Sequence, residues 1–80
     1  MKNVSKQIYN YTAIFEENEN GGYTVLVPAL PGLVTEGKNL EQAKEMAEDA
    51  IVCYLEGLKT AHEEIPKEGN VAHFRLSVAV

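Results

Sequence analysis

An α+β domain in the order β-β-β-α-β, an antiparallel sheet with one long helix packed on a face, is what this 80-residue chain predicts. Three observations carry the prediction. Residues alternate with a period of two through Tyr9–Glu16 and again at the C-terminal end. Glycine- and proline-rich breaks at 20–22 and 28–32 bound short β-branched and aromatic runs. A single stretch from Asn39 to about Thr60 changes to a helical period.

The start, residues 1–7, is polar and expected to be flexible, the rest of 1–80 forming a single domain. In the first strand Tyr9, Tyr11, Ala13 and Phe15 alternate with Asn10, Thr12, Ile14 and Glu16, a period of two in aromatic and β-branched residues. Asn20-Gly21-Gly22 supplies the positive φ values a hairpin loop requires. The second strand, Tyr23–Val27, stops at Pro28, which has no N–H to give to a ladder. Pro31-Gly32 suits the central pair of a type II turn and leads into a short third strand, Leu33–Glu36.

Asn39 followed by Gln42 resembles a capping box, and Glu41 puts negative charge in the first helical turn, where the helix dipole favours it. At 100° per residue, Leu40, Ala43, Ala47, Ala50, Ile51, Tyr54 and Leu58 fall on one arc, expected to face the sheet, with Met46, Cys53 and Gly57 on its flank. After a polar stretch, Ala72, Phe74, Leu76, Val78 and Val80 alternate with His73, Arg75, Ser77 and Ala79 as a closing strand.

Composition narrows the function. Hydrophobic residues at 45% and charged residues at 24% are those of a folding globular chain. Twelve acidic against seven basic residues give a net charge of -5, which repels a phosphate backbone and favours a basic protein partner over nucleic acid. No apolar run is long enough to cross a bilayer and the first residues lack a signal-peptide core, so a cytoplasmic location is expected. The lone Cys53 cannot form an internal disulfide, which fits a reducing compartment.

Set in this order, the residues resemble the HicB-like antitoxins of bacterial and archaeal toxin-antitoxin pairs. The resemblance rests on Tyr9-x-Tyr11-x-Ala13-x-Phe15, Gly22-Tyr23-x-Val25-x-Val27-Pro28, Leu30-Pro31-Gly32, Thr35-x-Gly37 and Leu40-Glu41-x-Ala43, spanning Tyr9 to about Pro66. It implies a partial ribonuclease-H-like or double-stranded-RNA-binding-like fold whose role is to bind and silence a small basic toxin, HicA, that cleaves messenger RNA. Ala29 and Leu33 stand where the family often has Asp and Cys. The ribbon-helix-helix or helix-turn-helix that often follows this domain in the family has no counterpart before Val80, so operator binding is not expected of these residues.

Two candidate partner-binding groups follow. One is the acidic helix face, Glu41, Glu45, Glu48, Asp49 and Glu56 with Val52 among them; the plainer reading is a solvated face held by weak i,i+3 and i,i+4 pairs. The other is Leu30-Pro31-Gly32, a conformationally fixed loop that loses little entropy on binding, or simply a connector. Met46, Cys53 and Gly57 form a candidate oligomer contact, since a helical glycine costs about 1 kcal/mol relative to alanine and suggests that something approaches the backbone closely, either another copy or simply the domain's own sheet.

Catalysis is not expected. Cys53 with His62 or His73 lacks any nucleophile signature, the two histidines and one cysteine lack metal-ligand spacing, and Asp49 is the sole aspartate. No cofactor is expected. The resemblance implies an antitoxin-like inhibitor of a small basic RNA-cleaving toxin, expected to be non-enzymatic and to act as a homodimer or higher homo-oligomer; the alternative is an orphan interaction or scaffold domain of the same fold with no toxin partner.

Overall fold

A computed structural model describes residues 7–80; apart from Gln7, the start expected to be flexible lies outside the described residues. The element order is β1 (Ile14–Glu17), β2 (Tyr23–Leu26), β3 (Val34–Gly37) and α1 (Leu40–Thr60). The strands form one antiparallel sheet, β1-β2-β3, in which Phe15 opposes Val25 and Val25 opposes Thr35. The helix lies mainly on β3 and to a lesser extent on β2.

Each expected break has its physical agent. Asn18 organises the first hairpin: its side-chain oxygen accepts from the N–H groups of Asn20 at 3.1 Å and Gly22 at 3.0 Å. Gly21 takes a φ of 85°, as the loop chemistry requires. At the helix start the Asn39 side chain accepts from Gln42 N–H at 2.8 Å, and Gln42 reaches back to the N–H of Lys38 at 2.7 Å, one residue earlier than in a standard capping box.

The core has two clusters, Val27, Leu30 and Leu33 with Leu55, and Val25 with Ala43 and Ala47. A glycine makes the fit possible. A Cβ on Gly37 would fall onto the backbone of Ala43, so only a residue without one lets the first turn of α1 close down on β3.

Four expectations need correction. β1 begins at Ile14, not at Tyr9, because its partner β2 ends at Leu26 and the register, continued, puts opposite Thr12 the residue Pro28, which has no N–H to extend the ladder. Tyr9, Tyr11 and Ala13 nonetheless pack against the core. Leu40, placed on the sheet-facing arc, is 54% exposed, since it precedes the closest approach of the helix at Ala43. Leu55, outside that arc, is buried instead.

The fourth correction concerns the closing strand. Residues 72–80 pair with no strand among the described residues and are exposed throughout, so the observed order is β-β-β-α. Alternation marks a segment able to be a strand, but a strand exists only beside a partner edge.

Candidate protein-binding surface

The connection between β2 and β3 is two successive turns. Leu30 N–H donates to Val27 C=O at 2.9 Å and Leu33 N–H to Leu30 C=O at 3.1 Å, with Gly32 at φ 84° completing the second. That is the type II geometry expected of Pro31-Gly32. Leu30 and Leu33 plug into the core on either side, leaving Pro31 and Gly32 outside. Leu30 was expected to meet a partner and instead is fully buried, so its side chain anchors the turn and is closed to contact. The turn tip is also tied to the helix, the Tyr54 hydroxyl donating to the Pro31 carbonyl at 3.0 Å.

On α1 the residues Glu41, Glu45, Glu48, Asp49 and Glu56 are all exposed, and Val52 stands among them with 54% of its surface open. Helical geometry puts them on the side away from Ala43, Ala47 and Tyr54, which face the sheet or the turn. The turn and the acidic face therefore look out from different sides of the helix. They are two surfaces.

The flank of Met46, Cys53 and Gly57 is open as well. A Cβ on Gly57 would meet nothing within 4 Å among the described residues, so the chain's own sheet does not explain this glycine. The thiol of Cys53 is exposed.

One arrangement escaped the sequence reading. α1 ends in paired bonds, Glu63 N–H to Leu58 C=O at 2.8 Å and His62 N–H to Lys59 C=O at 3.0 Å, with His62 in the left-handed position at φ 58°. This reversal sends the chain back to the first segment, where the Tyr11 hydroxyl donates to the Pro66 carbonyl at 2.6 Å. The Thr12 N–H donates to the Glu68 carboxylate at 2.7 Å, and the Thr12 hydroxyl donates to its other oxygen. The hydrogen bonds from Thr12 hold the Glu68 carboxyl below its usual range. Partial burial, with Tyr9 and Glu68 nearby, pushes the Tyr11 phenol up. The only sequence sign of this latch is polarity: Thr12 and Glu68 read as ordinary surface residues.

Nothing in the arrangement gathers reactive groups. Among the described residues no three His, Cys, Asp or Glu side chains lie close enough to hold a metal ion, and no helix is long and apolar enough to cross a membrane. The depressions, such as the one between Tyr9, Lys59, Glu63 and Pro66, are open grooves.

Comparison with known proteins gives the family. Residues 11–78 match the family described as HicB_like antitoxin of bacterial toxin-antitoxin system. A UPF0150 protein of Synechocystis is 41% identical over 63 residues, 79% of this chain and 80% of the relative. One from Thermoplasma acidophilum is 45% identical over 58 residues, covering 72% of this chain and 84% of its own. The protein named Antitoxin HicB 1 of Photorhabdus laumondii is 39% identical over 61 residues, 76% of this chain but 39% of its own length. No solved structure matches significantly.

Proposed function

The chain belongs to the HicB-like antitoxin family, and from that membership we propose that it binds and neutralises a small basic RNA-cleaving toxin of the HicA-like kind. The carrying observation is the acidic face of α1, where Glu41, Glu45, Glu48, Asp49 and Glu56 stand exposed around an exposed Val52. A toxin that seeks RNA presents cationic side chains to phosphates; a rigid helix bearing carboxylates at regular intervals competes for those side chains. Complementary charge speeds the encounter, and Val52 adds an apolar contact at its centre.

The protein acts by occlusion and contributes no catalytic group of its own. Its net charge of -5 disfavours direct binding to nucleic acid. The Pro31-Gly32 tip offers a second, preformed contact, since its anchoring by Leu30 and Tyr54 removes most of the ordering cost of binding. The antitoxin works in the cytoplasm as a homodimer or larger homo-oligomer, with the exposed Met46, Cys53 and Gly57 flank as a contact between copies.

Isothermal titration against a small basic toxin encoded beside it tests the proposal. Binding at about 1 μM or tighter is expected, weakening as salt rises. Absence of heat at that concentration in low salt overturns it.

A further inference from the structure

We propose that residues 71–80 are an exchanged strand, which each chain lays along the open edge of β1 in a second copy of itself. The proposal rests on the self-association proposed above and is independent of toxin binding.

The segment has the alternating sequence of a strand and pairs with none among the described residues. Phe74, Leu76 and Val78 are 82, 82 and 83% exposed, and their alternation with His73, Arg75 and Ser77 would put them on one side of an extended strand. A row of large apolar side chains left in water is a binding surface by default. It is also part of the domain, since the family match runs through residue 78. The chain is accordingly drawn out, 61 Å in its longest dimension, with a radius of gyration of 15.6 Å. A compact chain of this length has about 12 Å.

A matching vacancy lies in the sheet. β1 is an edge strand, paired on one side only with β2 among the described residues, and α1 leans toward β3 and β2. Its unpaired N–H and C=O groups are a template for another strand. The chain's own tail does not take the place. The latch at Tyr11, Thr12 and Glu68 fixes the connector, after which Gly69, Val71 and His73 pass beside Pro28 and Ala29, beyond the end of β2. From there the tail runs out into solvent.

Charge selects a second copy over a basic toxin as occupant. Beyond Glu68 the sequence has no side-chain carboxylate and carries its only arginine, Arg75, beside His73. β1 ends in the exposed pair Glu16 and Glu17. A basic partner is repelled by this tail and the acidic edge of another copy attracts it. Exchange is reciprocal about a two-fold axis, so each copy contributes two strand contacts to one closed interface.

The test uses the full chain. Sedimentation velocity is expected to give a dimer, and isotope-filtered NOE spectra of a 1:1 mixture of labelled and unlabelled protein are expected to show contacts from Phe74 and Leu76 to the β1 region of the other copy. Phe74→Asp with Leu76→Asp, and separately Ser77→Pro, each weaken the dimer at least about tenfold while far-ultraviolet dichroism retains the helix. The proline variant leaves the apolar side chains intact and so separates pairing from solubility. A dimer whose tail contacts stay within one chain, or one unaffected by both variants, overturns strand exchange and leaves self-association standing. A monomer overturns both the exchange and the dimer it rests on, whereas a tail that contacts only added toxin overturns the exchange alone.

Discussion

The Tyr54 hydroxyl donates to the Pro31 carbonyl across 3.0 Å, fastening the tip of the β2–β3 connection to the C-terminal half of α1. With Leu30 fully buried beneath it, the turn is held from both ends. Tyr54→Phe removes this one bond and is expected to cost about 0.5–1 kcal/mol in urea unfolding, whereas Leu30→Ala, which opens a cavity, costs about 2–5 kcal/mol. Equal losses in the two variants argue against the anchoring described.

Two glycines have opposite environments. Gly37→Ala drives a methyl into the backbone of Ala43 and is expected to destabilise by about 3 kcal/mol or more, because backbone on both sides must shift. Gly57→Ala meets open space and should stabilise the monomer by about 0.5–1 kcal/mol. Thermal unfolding of both variants, with sedimentation of the second, checks this. A Gly57→Ala protein that is a weaker oligomer identifies a contact between copies at that flank.

His62 occupies a left-handed conformation that glycine adopts without strain. His62→Gly is therefore expected to stabilise by about 1 kcal/mol, against the usual direction of glycine substitutions. A loss of stability in denaturant titration contradicts the assignment of the reversal.

The latch at Thr12 predicts a dependence on pH. Glu68 has its carboxyl held below the usual range chiefly by the Thr12 hydrogen bonds, with a smaller contribution from His73. A depressed acid gives its stabilisation in full above the ordinary carboxylate value and loses it as pH falls through the lowered one. Tyr11 works in the other direction. Its phenol is raised above 10.0, so its contribution is complete below that value and is lost as pH rises through the raised one. Hydrogen exchange at the Thr12 amide should accelerate in acid relative to the pH trend of the core amides. In Glu68→Gln that extra acid sensitivity should vanish; if it persists, Glu68 is not its source.

The acidic face is open to a direct separation of binding from folding. Glu45→Lys with Glu48→Lys is expected to change stability by no more than about 0.5 kcal/mol and to reduce toxin affinity at least about tenfold. Titration of the folded double variant measures both. Unchanged affinity moves the contact to another surface, first to the Pro31-Gly32 tip.

How much of this was legible in the sequence depends on the range of the interaction. Asn39 capping Gln42, Gly21 and Gly32 at positive φ, and the turn at Pro31 each follow from groups within a few residues of one another. Those were readable. Leu55 entering the core, Leu40 remaining outside and Leu30 turning inward depend on where a whole helix sits on a sheet, which no helical period specifies.

By itself the sequence determined the local elements, the exposed charge along α1 and the family, because these are set by side-chain chemistry at fixed spacing. Tertiary structure alone decided that Gly37 admits Ala43, that Thr12 holds Glu68, and that the alternating segment at 72–80 stands without a partner strand among the described residues. The reason is physical: close approach and strand pairing join residues far apart along the chain, and their geometry exists only after the helix has docked.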